Sequence, residues 1–428
     1  MTRSARLRSQ RGAVIITVCL MLLFLLGFMG IALDFSRLFI VRTELQTAMD
    51  TCALAAAQEL DREPTALERA RRTGIAAGNI NRVDMQSANW SEQGQIVDAD
   101  ISFRDANYIL TTDPAAARYV ECAHTQPSIR LWLLQAMGAF SGNTDLYPPT
   151  ASVAARAVAT RGSAQSTCPL PLAMRPKTPG APAPNFGYTP GEWVTLVMSP
   201  GTGTGGYIGW ANLDGSNSAA ETERELTEGN CQTRVGDELG TPGVQSSIAD
   251  IWNARLGIYR NSADPARWRP DRTGYAYTTS NWPSGSNAYN GPTPAGAHPS
   301  AANFVTKRAS FASCADTGTN MNGAGGCSDI MGRSVGGGFN VVLPPGANAA
   351  GGHWQHGADR RIALVPVTNG YPGSVEDYAC MLILQPISIP MVDIQLEFIG
   401  HAAAPGSPCV TNGLPGGVAG PLVPVLVR

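Results

Sequence analysis

The chain has 428 residues, room for two or three domains. Its 31 basic and 33 acidic residues nearly cancel, so bulk charge gives no reason to expect nucleic acid or an acidic membrane surface as a partner. Only 15% of residues are charged, and most of the 47 glycines and 31 prolines fall after Arg161, where an Ala-rich helical composition turns into a turn-rich one. The main boundary belongs there, giving an earlier segment 34–162 and a later segment 163–428.

The N-terminus comes first in chain order. Arg3, Arg6, Arg8 and Arg11 form a basic tail over residues 1–11, and the first acid is Asp34. Residues 12–33 are uncharged and mostly Leu, Ile, Val, Met and Phe. As a helix this run is about 33 Å long, enough to cross the hydrocarbon of a bilayer. Arginines before the span and none of like density after it place the N-terminus inside and the bulk of the chain outside. A cleavable signal peptide is the competing reading. Its apolar part would be shorter and followed by an A-x-A-like site, whereas here the run gives way to Asp34-Phe35-Ser36-Arg37. An uncleaved anchor is expected.

No proline interrupts the chain before Pro64. Beyond the span, Leu38, Val41, Leu45, Ala48, Cys52, Ala55 and Glu59 recur at steps of three and four, one almost wholly apolar face of a helix. Ala53, Ala55, Ala56 and Ala57 favour helix and admit a close neighbour. One helix is therefore expected to begin in the membrane and end as the spine of an external domain. A mere stalk would gain nothing from such a stripe; a sheet or partner helices should cover it.

The run RGAVIITVCLMLLFLLGFMGIALDFSRLFIVRTELQTAMDTCALAAAQEL resembles the N-terminal region of TadE/TadG-like proteins of the Tad (tight adherence, Flp-type) pilus-assembly system. The resemblance rests on Arg11-Gly12, the span, Asp34 and Arg37 at its exit, Gln46, Asp50, and Ala53-Leu54-Ala55-Ala56-Ala57. It implies a single-pass protein of the bacterial inner membrane, with the N-terminus cytoplasmic and the C-terminal bulk periplasmic or extracytoplasmic. It also implies other Tad pilus-assembly proteins or pilins as partners. No motif gives catalysis positive support, so neither enzymatic activity nor a cofactor is expected. There is one departure. Type IV prepilins are cut after a glycine with glutamate five residues on; counted from Gly12, that position is Thr17. The ionic contact that such a glutamate makes with a neighbouring subunit inside hydrocarbon cannot form here. An anchored, TadG-like role fits better than that of a major filament subunit.

After Pro64, residues 65–77 read as a helix with a basic face, Arg71 and Arg72 pointing to solvent. Residues 95–103 and 117–123 alternate like strands, 129–140 reads as a helix, and 151–160 as a returning strand. The expected fold class is α+β: a transmembrane helix continuing into a long pilin-like helix packed on a small antiparallel sheet, then a β-rich, disulfide-containing domain. In that later segment 248–257 is the clearest helix. Short apolar runs at 193–198, 207–210, 339–343, 361–367, 379–384 and 394–399 suggest strands, in a sandwich or a similar β-rich fold.

Cys19 lies in the span, leaving eight cysteines outside it: Cys52 and Cys122, then Cys168, Cys231, Cys314, Cys327, Cys380 and Cys409. Even numbers on each side of the boundary, in an oxidising compartment, read as disulfides. Six cysteines allow fifteen pairings. Cys52–Cys122 is expected because it ties the long helix to the domain after it; Cys314–Cys327 and Cys380–Cys409 are also favoured.

Chemistry has few footholds. Asp214-x-Ser216-x-Ser218 has the pattern with which von Willebrand A domains hold a divalent cation through hard oxygens. Gly/Pro-rich sequence around it reads as a turn instead. His353 and His356, with Asp359 nearby, could bind a transition metal on a helix, yet Gly351, Gly352 and Gly357 make the segment a loop. Glu376, Asp377, Asp393 and Glu397 are acids with nothing to fix a catalytic separation. Trp268, Tyr275, Tyr277 and Trp282 read as core rather than as a binding surface. The leading reading is a membrane-anchored, minor pilin-like structural or assembly component. The alternative is a cell-surface adhesin or metal-dependent ligand-binding module held in the inner membrane.

Overall fold

The computed structural model describes residues 11–135, 142, 148–198, 206–242, 246–260, 268–309, 335, 340–341, 357–411 and 413–427. It falls into two compact units, Met1–Arg161 together with Pro424–Arg428, and Gly162–Val423. The last five residues thus belong with the first unit, although composition groups them with 163–428. Composition registers turns and apolar content, not which distant strand completes a sheet.

In the first unit a single helix α1 runs from Arg11 to Gln58. Its segment from Val14 onward is long and apolar enough to cross a membrane. The described side chains between Val14 and Met29 are largely exposed, whereas Val41, Leu45, Ala48, Met49, Cys52, Ala53, Ala56 and Ala57 are buried, as is Leu60 just beyond the helix. The buried stripe therefore turns slightly from the one read off the sequence: Ala55 and Glu59 are only half-buried. Helix α2 (Ala66–Asn79) packs against this stripe. Close approach needs small residues. A Cβ at Gly74 would stand 3.1 Å from the Ala56 Cβ, and one at Gly78 would stand 3.1 Å from the Cys52 Cβ and 2.3 Å from the Ile96 Cδ1.

The other wall is a four-stranded sheet in the order β1 (Ile101–Arg104), β2 (Tyr119–Arg130), β3 (Thr150–Ser163) and β12 (Leu422–Leu426). β1–β2 and β2–β3 are antiparallel. Val120, Cys122, Val153, Ala155, Ala157 and Ala159 share one core with α1, and the Cys52–Cys122 disulfide bonds helix to sheet. Two local readings change. The expected strand over 95–103 shortens to β1, preceded by a helical turn at Asp98–Asp100. The expected helix over 129–140 loses its start, because Ile129 and Arg130 pair with Ala151 and Thr150 and extend β2; residues 132–135 are helical. Sheet pairing overrides the local apolar period there.

The second unit is built on a closed barrel of β4 (Leu172–Met174), β5 (Glu192–Leu196), β6 (Tyr207–Trp210), β9 (Ile362–Thr368), β10 (Val375–Ile383) and β11 (Ile394–His401). The strands follow one another as β10-β11-β5-β6-β4-β9. Four pairings are antiparallel; β5–β6 and β4–β9 are parallel. This corrects the sandwich expectation: the two parallel seams close the sheet on itself, which removes its free edges. A short pair, β7 (Ile258–Tyr259) and β8 (Asn340–Val341), stands apart. Helices α3 (Ala219–Glu228), α4 (Ser247–Ala254) and α5 (Phe304–Ala309) accompany the strands. Trp252 of α4 meets Trp210 of β6 edge to face at 5.6 Å, and Asn253 exchanges two hydrogen bonds with the Ile387 backbone. Disulfides join Cys168 to Cys231 and Cys380 to Cys409. Cys314 and Cys327 lie outside the described residues.

Candidate functional site

The residues that carry the family resemblance lie on α1. Gly12 is in its first turn. Asp34 follows the last apolar residue of the run and is nevertheless 4% exposed. Its Oδ2 accepts hydrogen bonds from the Leu133 N–H at 3.0 Å and the Leu134 N–H at 2.7 Å. Those are first-turn amides of the helical segment 132–135, groups with no partner within a helix, and a carboxylate there also answers the local dipole. One turn earlier, Gly30 leaves the space the segment needs: a Cβ at that position would stand 2.9 Å from the Leu133 Cβ.

Arg37, one turn beyond Asp34, takes hold of two further pieces of chain. Its guanidinium donates to both Asp84 carboxylate oxygens, at 3.0 and 3.3 Å, and to the Arg130 carbonyl at 3.1 Å. It also lies 4.8 Å from the centre of the Trp132 ring. Higher on the helix, Glu44 accepts from the Met85 and Gln86 N–H groups and from the Gln86 side chain. Asp84, Met85 and Gln86 all have positive φ, at 63°, 57° and 63°. Three consecutive non-glycine residues in the left-handed region cost on the order of 1 kcal/mol each. Arg37 and Glu44 supply the offsetting contacts. Gln46 donates to Asp50 at 2.8 Å and to the Arg156 carbonyl of β3 at 3.0 Å.

Asp34, Arg37, Glu44 and Gln46 therefore form a ladder of polar clamps along one helix, holding the segment 130–134, the turn 84–86 and the sheet. Sequence reading singles out Asp34, Arg37, Gln46 and Asp50. It passes over Gly30, Glu44, Asp84, Trp132 and Leu133. Their contacts span 41 to 103 positions of chain, and no local pattern announces them. The arrangement is mechanical. It fixes a helix against three other parts of its own unit.

Other sequence candidates sit elsewhere. Asp214, Ser216 and Ser218 form the turn between β6 and α3. The Ser216 N–H donates to Asp214, while Asn212 donates to Ser216 and to the Ser218 carbonyl. A helix does follow this motif, contrary to the expectation of Gly/Pro-rich turns; Thr222, Glu225 and Leu226 form its buried face. Oxygens of Asp214, Glu221 and Glu225 lie within 4.8 Å of one another. Glu225, however, accepts from the Leu213 and Asp214 N–H groups and from Asn230, so its carboxylate ties down the turn. Burial, with Asp214 and Glu221 nearby, raises its pKa in spite of those bonds. His353 and His356 lie outside the described residues.

Three of the candidate acids on or next to β10 and β11 have separate structural duties. Asp377 meets His401 at 2.9 Å, and Asp393 accepts from the Met198 N–H at 2.8 Å. The buried Glu397 accepts from the Ala288 and Tyr289 N–H groups and from the Trp193 indole. Burial raises the Glu397 pKa. Tyr275, Tyr277 and Trp282 are fully buried, with Trp268 packed partly buried against the barrel core. Beside the Tyr275–Trp282 cluster, Arg361 donates to the carbonyls of Ile383, Thr273 and Tyr275. Burial lowers its pKa to about 10, which leaves it charged at neutral pH.

The first unit thus defines a class: an α+β unit with a disulfide, built on a helix whose leading part is long and apolar enough to cross a membrane. Within it, residues 12–59 match the family model described as putative Flp pilus-assembly TadE/G-like. That segment contains every residue on which the resemblance rests except Arg11. No curated protein matches the chain, and no solved structure matches it.

Proposed function

We propose that this protein is a membrane-anchored structural or assembly component, minor pilin-like, of a Tad/Flp-type pilus system. The observation that carries the reading is the coincidence of the TadE/G-like match with α1, whose first half is apolar and exposed and whose second half is the core of the first unit. In this reading α1 crosses the bacterial inner membrane with its basic end in the cytoplasm, and both units work outside it. The segment 34–162 serves as a pilin-like domain and 163–428 as a β-rich extracytoplasmic one. Thr17 leaves α1 without an intramembrane carboxylate five residues after Gly12, which favours a retained anchor over serial stacking in a filament. The role is assembly rather than catalysis: the clamped helix transmits position and force between the membrane and a surface offered to other pilus proteins.

Deletion of the gene, with complementation by the full chain, tests this. Surface pili counted by electron microscopy and adherence to a solid support should both fall and be restored on complementation. Unchanged pilus number and adherence in the deletion would overturn it.

A further inference from the structure

The helix exit carries a feature that anchoring by α1 alone does not require. Trp132 is 63% exposed and Leu133 is 40% exposed, although both belong to a segment fastened to the helix by Asp34 and Arg37. The depth of that segment is set by α1 itself. Leu133 lies against Gly30, within the apolar run and one turn below Asp34. No charged residue occurs between Arg130 and Asp145. Phe35 and Phe39, on the next turns of α1, are also exposed, at 51% and 66%. A water-facing loop would gain nothing from an exposed tryptophan and leucine fixed at this height. Trp132 has the character of an interfacial residue: an amphipathic ring, here stacked on a guanidinium, suited to the headgroup level.

We infer that residues 131–135 form a second, interfacial membrane contact that seats the first unit on the lipid surface, with Trp132 and Leu133 entering the boundary between headgroups and acyl chains. The occupant of this surface is lipid. The argument is continuity: if residues 12–33 fill the hydrocarbon, a side chain packed on Gly30 is at or below its edge. The inference rests on the reading of α1 as a membrane span. Two attachments, a rod and a lip beside it, then restrict rocking of the unit about the point where the helix leaves the bilayer.

The test uses the full chain in vesicles of phosphatidylcholine and phosphatidylglycerol. In a Cys19→Ser background, Trp132→Cys is labelled with an environment-sensitive fluorophore and compared with Ile109→Cys. Ile109 is exposed and follows Tyr108, whose hydroxyl accepts from Arg156. The Arg156 carbonyl holds Gln46, which is about 18 Å beyond Asp34 along the helix. Acyl-chain spin-labelled lipid should quench the label at 132 at least about threefold more than the label at 109, with a blue-shifted emission at 132. Equal quenching at both sites in protein that floats with the vesicles overturns the lip but leaves the span intact. Failure to float removes both. Should labelling disturb the fold, brominated lipid offers a second measurement: it should quench wild-type tryptophan emission more than that of Trp132→Phe, and equal quenching again overturns the inference.

Discussion

Arg37 and Asp84 allow a quantitative trial of the clamp ladder. Their side chains are 16% and 6% exposed and meet at 3.0 Å. At an effective dielectric constant of about 20 and a charge separation of about 4 Å, the attraction is roughly 4 kcal/mol. Dehydration of both groups offsets about half of it, leaving a coupling of about 2 kcal/mol. Arg37→Met keeps much of the aliphatic stem and removes the charge; Asp84→Asn keeps a residue tolerant of the left-handed backbone at this position. Each single variant strands a poorly solvated ion and should cost about 2–3 kcal/mol. The double variant should cost about the same as either one, not their sum. Pulse proteolysis in urea, on the full chain in detergent micelles, measures all three values. Additivity within about 0.5 kcal/mol would refute the pair as a coupled clamp.

The Cys52–Cys122 bond closes a loop with a sequence separation of 70. By chain entropy its removal in Cys52→Ala/Cys122→Ala should destabilise the first unit by about 4 kcal/mol, read in a thermal melt as a loss of roughly 8–16 °C for a unit of this size; a shift under a few degrees would contradict it. The pH dependence of the second unit should carry the mark of Glu397. Its folded pKa is raised from the ordinary 4.5 by burial, so the folded state holds the proton more tightly than the unfolded chain. The corresponding stability is complete below about 4.5 and is lost as pH rises through the raised value. Glu397→Gln should flatten that segment of the stability–pH curve measured by urea denaturation, and an unchanged slope would show that another group is responsible.

The local signals of the sequence are mostly sound where one element decides its own state. The unbroken α1, the strand at β3, the buried β6 and the helix containing Trp252 all arise from runs of apolar residues with clear limits. Failures occur where partners far along the chain decide. Ile129 and Arg130 sit in a strand because Thr150 and Ala151 lie opposite them. The barrel depends on two parallel seams, and nothing within 172–174 or 192–196 says which strand lies alongside. Helix α3 escapes notice because its buried face is Thr222, Glu225 and Leu226, only one of them apolar. The same holds for the clamps. Asp34 and Arg37 are visible as polar residues following an apolar run, but Gly30, Glu44 and Asp84 matter only through the segments that fold onto them.

β12 gives the molecule a nested genetic layout. The first unit takes its fourth strand from residues 422–426, on the far side of a block of some 260 residues that forms the other compact unit. β3 and β12 are neighbours in that sheet, so the block is a guest loop spliced into a host. Replacing it with a few linker residues from 163 to 422 should leave the host whole, and grafting foreign modules at the same two points would turn α1 and its sheet into an exchangeable display stand.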